Sequence, residues 1–315
     1  MPDKKQSCAF RTSIGGQALI EGILMRGPEK QAIVCRTEDG LVEKTEDLKF
    51  VKDKYPVLGL PFIRGCATFL DSMVKGMQAL TYSAGLIPIE QQGEPDKIDR
   101  WIEKHFPDDK AQKLIIGVAV VLGIALSVFL FIFLPAFIIG FIKPLTQSYL
   151  VRNLSEGLVR VLILLAYMWL CTRVSDVKRL FSYHGAEHKT IFCYEHNKPL
   201  TVENVRGESR FHPRCGTSFL LVVVVVSILV NAVVRVDNTF ARMGCHLLLL
   251  PVVVGISYEI NRWCGRHDNW LSKGLSAPGK WLQRLTTNEP DDSMIECAIR
   301  AMELVIPEEK GADAW

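Results

Sequence analysis

Four stretches of the chain are apolar and carry little or no charge. Leu114 to Ile142 runs for 29 residues without a charge. About 20 apolar residues cross a bilayer, so this run predicts a transmembrane helix with length to spare for tilt. Cys215 to Val234 is a second uncharged run, of 20 residues. Two weaker candidates follow the same pattern. Leu158 to Thr172 holds Arg160 near one end, and Met243 to Tyr258 is closed by Glu259 and Arg262. A soluble protein can bury one such helix, but hardly four. The pattern predicts a mainly α-helical, polytopic membrane protein with about four transmembrane helices.

The remaining chain divides around these runs. Residues 1–60 read as a small strand-rich unit, because "QAIVCRTEDGLVEKT" places a turn signal between two short β-type runs. The preceding "SIGGQALIEGILMRGP" is rich in glycine. It lacks the dinucleotide-binding spacing and the P-loop lysine, so its glycines predict turns and close strand packing. Residues 61–113 read as an amphipathic helix opened by Pro61, lying on the bilayer or against the helix bundle, then a polar connector. The Met and Phe stripe of that helix (Phe69, Met73, Met77) predicts packing surface. Residues 114–260 form the membrane domain, interrupted by a His-rich loop at 173–214. Residues 261–315 read as a cytoplasmic segment in which "PDDSMIECAIRAMELVI" predicts a capped amphipathic helix.

Charge sets the orientation. The 173–214 loop carries eight Lys and Arg, against Lys143 and Arg152 in the preceding loop and Arg235 and Arg242 at the edges of the following one. By the positive-inside rule this predicts that the His-rich loop and both termini are cytoplasmic. The net charge of +3 is too small to suggest nucleic-acid binding. Nine scattered cysteines without a CxxC pair predict free thiols. The polar first 15 residues predict no cleaved leader. Absence of an internal repeat, and of a convincing buried charge pair in any span, weighs against transport.

The candidate chemistry lies in "SYHGAEHKTIFCYEH", residues 182–196. On a helix His184 and His188 share one face and can reach a common ion, with Glu187 beside them. This HxxEH order matches the inverted zincin arrangement, in which two His ligate and the Glu is the general base. Zinc suits such ligands; a catalytic site needs a third protein ligand and an open position. Glu195, His212 and Cys215 are the candidates for that ligand, Cys193 and His196 weaker ones. Two metal readings stay open, with ordinary hydrogen bonding at a membrane surface as the bland alternative. An acidic third ligand leaves a catalytic site, whereas His184, His188, His212 and Cys215 together close a structural tetrahedron. "GRHDN" at 265–269 reads as a hydrogen-bonded helix end.

Four stretches, "SIGGQALIEGILMRGP", "YHGAEHKTIFCYE", "FHPRCGTSFL" and "APGKWLQRLTTNEPDD", resemble the bacterial YqhQ family of membrane proteins, over roughly residues 10 to 306. The resemblance implies a bacterial inner-membrane location and a metal-dependent enzyme. It implies that His184, Glu187, His188, His212 and Cys215, with Gly15, Gly16, Glu21 and Arg26, are family motif positions. It brings no substrate. Taken together, the expectation is a zinc-dependent hydrolase at the cytoplasmic membrane surface, acting on a small molecule or peptide. Its partners are the lipid bilayer and other membrane proteins. The alternative is a non-enzymatic scaffold or biogenesis partner with at most a structural metal.

Overall fold

The computed structural model describes residues 10–48, 55–86, 109–141, 148–267, 269–309 and 311–314, with backbone alone for 109–116. The polar connector expected at 90–113 falls mostly outside these residues. Two compact units emerge. One comprises Met1–Leu86, Tyr167–Val226 and Pro251–Trp315, the other Ile87–Ala166 and Ser227–Leu250.

The first unit is built on a four-stranded antiparallel meander. Its strands β1 (Gly15–Leu19), β2 (Gly22–Arg26), β3 (Lys30–Thr37) and β4 (Gly40–Asp47) lie in chain order across the sheet. Side chains alternate between faces with a period of two. Ile23, Met25, Ala32 and Val34 fall on one face, and Leu19, Leu24, Ile33 and Cys35 on the other. The first face is covered by α5 (Ser175–Glu195) and α10 (Asp292–Glu303). Asp291 caps α10 by accepting from Met294 N–H at 2.9 Å, and Met294, Ile295, Ala298, Ile299 and Met302 are buried as the sequence pattern predicts. Each of the larger of these side chains contributes about 1.5–3 kcal/mol by leaving water.

The glycine-rich stretch is itself strand. β1 and β2 are joined by Ile20 and Glu21, the latter at φ +51°. Glu21 is held by Arg179 and by the Tyr183 hydroxyl at 3.2 Å, both on α5. Gly22 presses on β3 so closely that a Cβ would meet Cys35 Sγ at 2.6 Å. Close strand packing is therefore what this glycine serves.

The other sheet face packs on α1 (Ile63–Ala84). The face that α1 buries is made of small residues, Gly65, Gly76, Ala79 and Ser83, because the sheet and a neighbouring helix approach its backbone closely. The stripe of Phe69, Leu70, Met73 and Met77 is exposed instead. Arg64 pairs with Glu259.

Among the described residues three helices are long and apolar enough to cross a membrane: Gly117–Gly140, Tyr149–Cys171 and Thr239–Arg266. The first comprises α2 (Asp109–Val128), a π turn at Phe129–Phe133 and α3 (Leu134–Gly140); the others are α4 and α8. The fourth expected span is shorter. It is α7 (Gly216–Ala232), 17 residues, because Cys215 stands before its first turn and the helix ends ahead of Val233 and Val234. At 1.5 Å per residue it reaches about 25 Å against a hydrocarbon core of about 30 Å.

The second unit contradicts the expectation that no span holds a buried charge pair. α4 begins at Tyr149, before the apolar run, and so carries Arg152, Glu156 and Arg160 at four-residue intervals on one face. All three are buried. Glu156 lies 3.1 Å from Arg160 and 3.1 Å from His246 Nδ1, with Arg242 Nε at 3.5 Å. Pro135 has no N–H to offer the carbonyl four residues back. That carbonyl, Phe131, accepts from Arg160 Nε at 2.7 Å.

Candidate metal centre

The helix expected around Ser182 to Phe192 is the second half of α5, which runs from Ser175 to Glu195. His184 and His188 accordingly face the same way, their rings 4.4 Å apart. Cys215 arrives from the residue before α7. His184, His188 and Cys215 each offer a ligand atom within 4.8 Å of the other two, and His184 Nε2 lies 3.1 Å from Cys215 Sγ.

The histidines are oriented by main-chain carbonyls. His184 Nδ1 faces the Thr286 carbonyl at 2.8 Å, and His188 Nδ1 faces the Arg210 carbonyl at 2.6 Å. A carbonyl only accepts, so each Nδ1 carries the proton and each Nε2 presents a lone pair to the shared space. His188 Nε2 is buried and has no hydrogen-bond partner among the described residues. This is how a protein commonly holds imidazoles against a metal. One glycine permits it: Gly185 leaves room for the Asn288 carbonyl against α5, which brings Thr286 to His184.

Glu187 is buried beside this group. Its Oε1 accepts from the Gly16 N–H of β1 at 2.9 Å, while its Oε2 has no partner among the described residues. Gly16 has to be small, since a Cβ there would stand 3.0 Å from the Glu187 carboxyl carbon and 2.6 Å from the Leu24 carbonyl. Burial raises the Glu187 pKa above the usual carboxylate value, against the lowering influence of His184 and His188. Burial also works against charge at Cys215 and His184, but the pair overcomes it. His188 and His184 hold the Cys215 thiol well below its ordinary value, and Cys215 brings His184 up to about 9.

The other candidates are placed differently. Glu195 is fully buried at the end of α5, accepts from Thr12 N–H at 2.9 Å and pairs with Arg214. His212 Nε2 lies 3.6 Å from Glu195, and its ring is 5.6 Å from that of His188. Burial lowers the His212 pKa to about 4. His212 and Glu195 therefore pair beside the three-residue group and stand outside it. Cys193 lies 3.5 Å from the Pro199 carbonyl, and His196 pairs with Glu208 at 3.0 Å. In 265–269, His267 contacts the Trp263 carbonyl and Asn269 caps α9 (Trp270–Thr286); Asp268 lies outside the described residues.

What sequence reading missed is the main-chain scaffolding. Nothing in "TTNEP" or around Arg210 marks a carbonyl as a histidine acceptor. The Gly16 contact had a signal in its glycine pair, which reads as close strand packing, but nothing in the stretch marks Glu187 as the partner. Ser13 and Ile14 before β1 and Gly15 to Ala18 on it, with Leu80, Leu180 and Phe181, line a cavity of about 460 Å³ that opens onto His184, Glu187, His188 and Cys215.

Comparison with known proteins agrees with the motif resemblance. The chain is 34% identical over 294 residues to "Uncharacterized protein YqhQ" of Bacillus subtilis (strain 168), covering 91% of this chain and 90% of that one. No solved structure matches. A family model described as "Protein of unknown function (DUF1385)" matches residues 60–308 and so takes in the histidines, Glu187 and Cys215. The chain belongs to this DUF1385 family, together with its Bacillus relative.

Proposed function

We propose that this protein is a metal-dependent hydrolase, with zinc held by His184, His188 and Cys215 and Glu187 as general base. One observation carries the reading. A buried imidazole nitrogen, His188 Nε2, has its lone pair unpartnered beside two further ligand atoms. Leaving such a group unpaired costs about 1–3 kcal/mol, which a metal bond would more than offset. Two imidazoles and a thiolate are a donor set zinc accepts, and three protein ligands leave a fourth position for water or substrate.

Zinc supplies, when bound, a Lewis acid and a water acidified to a pKa of about 7. The chain's own residues do the rest. Gly16 N–H fixes one oxygen of Glu187 and leaves the other to take a proton from water. The raised Glu187 pKa lets that proton be held and then passed to the leaving group. The Thr286 and Arg210 carbonyls keep both histidines in the ligating tautomer. The Glu195–His212–Arg214 group anchors the end of α5 and the approach to Cys215.

The lysine and arginine asymmetry supports a multi-pass protein of the bacterial inner membrane with both termini and the site in the cytoplasm. An impermeant thiol reagent should then label a cysteine introduced at the exposed Ser148, before α4, in intact cells and spare one at Asn197.

The function is tested with Glu187→Gln. The amide disturbs no ligand, so zinc content should be unchanged. It cannot accept a proton from water, so complementation of a deletion strain should fail, with hydrolysis down about 10²–10⁴-fold. Full complementation would assign the metal a structural role and the protein a scaffold role.

A further inference from the structure

The sheet has two edges, and they are treated differently. β4 carries Glu43, Lys44, Glu46 and Asp47, the kind of charge that keeps an edge from pairing with another strand. β1, "GGQAL", carries no charge. It lies alongside the candidate metal centre.

The register of β1 against β2 fixes which groups point outward. Leu19 and Gly22 flank a two-residue loop and form a hydrogen-bonded pair, so Gln17 and Gly15 also bond inward to β2. Gly16 and Ala18 therefore direct N–H and C=O away from the sheet. The Gly16 N–H is taken by Glu187. For the Ala18 N–H, and for the Gly16 and Ala18 carbonyls, no outward partner exists among the described residues. Gly16 is exposed, and a Cβ on Gly15 would meet nothing within 4 Å. A strand glycine that packing does not require marks a place where another backbone comes close.

We infer that the ligand of this site is a peptide in extended conformation, paired through its main chain with the open edge of β1. The Ala18 N–H would donate to one peptide carbonyl, and the Gly16 and Ala18 carbonyls would accept from peptide N–H groups. Leu80, Leu180 and Phe181 line the adjoining cavity, which suits an apolar side chain. Because Glu187 is bonded to the same strand, a peptide in this register has its carbonyl next to Glu187 and the three ligands. On the hydrolase reading proposed above, the reaction is then peptide-bond hydrolysis. A water oxygen bonds to the carbonyl carbon, the carbon–nitrogen bond breaks, the proton taken by Glu187 goes to the leaving nitrogen, and the second water proton passes from the new carboxylic acid to the amine. The products are a carboxylate and an ammonium.

The test uses purified full-length Glu187→Gln protein in detergent with zinc, so that bound peptide is not consumed. The probe is a pool of blocked, fluorescein-labelled octapeptides, from which one binder is taken and N-methylated at each amide in turn. Affinity should fall about three- to tenfold, the worth of one main-chain hydrogen bond, at alternate amides only. Ala18→Pro should weaken the unmethylated peptide by a similar factor with zinc content unchanged, since proline is tolerated where an edge N–H faces outward. The methylation series needs no altered protein, so a misfolded variant cannot obscure it. Uniform tolerance of methylation, or no octapeptide binding at all, would overturn the inference. Cleavage by the unaltered protein is scored separately. A period-two pattern without cleavage would remove the hydrolase reading and leave the peptide edge standing.

Discussion

Gly185→Ala should loosen the metal centre without touching a ligand. An alanine Cβ on this face of α5 would overlap the Asn288 carbonyl oxygen outright and stand 3.3 Å from its carbon and 3.5 Å from Pro290 Cδ. The 286–290 segment cannot slide freely, because the Asn288 N–H donates to the Phe181 carbonyl at 2.9 Å. Heavy atoms in a packed interior settle about 3.5–4.0 Å apart, so relief takes roughly 1 Å of movement away from the helix. That movement stretches the 2.8 Å contact between the Thr286 carbonyl and His184 Nδ1 past the range of a hydrogen bond. Overpacking of this kind costs about 1–3 kcal/mol of stability. Loss of the carbonyl should weaken zinc about 10–100-fold, or about 1.4–2.7 kcal/mol. Competition against a chelating dye measures the affinity, and thermal unfolding in detergent the stability. Gly274→Ala, on α9 where a Cβ meets nothing, serves as the control. Wild-type zinc affinity in Gly185→Ala would refute the claim that Thr286 orients His184 for a metal.

Other outcomes follow from the same contacts. Glu156→Ala should destabilise the second unit by about 3–5 kcal/mol, because Arg160 and Arg242 lose their buried carboxylate; an unchanged unfolding transition would contradict the pairing. Asp291→Ala should cost about 1 kcal/mol at neutral pH by uncapping α10. Its hydrogen bonds to Ser293 and Met294 lower the Asp291 pKa in the folded state. The charged cap therefore stabilises fully above the unfolded value of about 3.9, and the gap from wild type should close as pH falls through the folded pKa. A gap that widens in acid would be inconsistent with that sign. Zinc affinity should fall steadily on acidification, because imidazole and thiol must shed protons to ligate; a pH-independent affinity would argue against this ligand set.

The parts of the site that a short helical spacing determines were legible in the sequence. His184 and His188 are one turn apart, and Glu187 had to lie beside them. Cys215 was legible only as one of three candidates, because its approach depends on where α7 begins, and nothing local separates it from His212. The Gly16 N–H escaped notice for a different reason. The stretch reads as turns and close strand packing, but no local signal gives the register that places Gly16 on Glu187. The buried Glu156 was hidden by starting the span at the apolar run. α4 starts nine residues earlier than Leu158, and Arg152, Glu156 and Arg160 then fall one turn apart on one face. The apolar stripe on α1 was legible, whereas the sheet taking the opposite face was not, because close helix–sheet approach there is decided by the small size of Gly76, Ala79 and Ser83.

Metal content tests the central claim most directly. Full-length protein purified in detergent should carry one zinc per chain by elemental analysis. X-ray absorption should show nitrogen neighbours at about 2.0–2.1 Å and one sulfur at about 2.3 Å. His188→Ala, His184→Ala and Cys215→Ala should each lose the metal, while Glu187→Gln keeps it. Wild-type protein that takes up no zinc, or His188→Ala protein that holds it as tightly as wild type, would contradict the account.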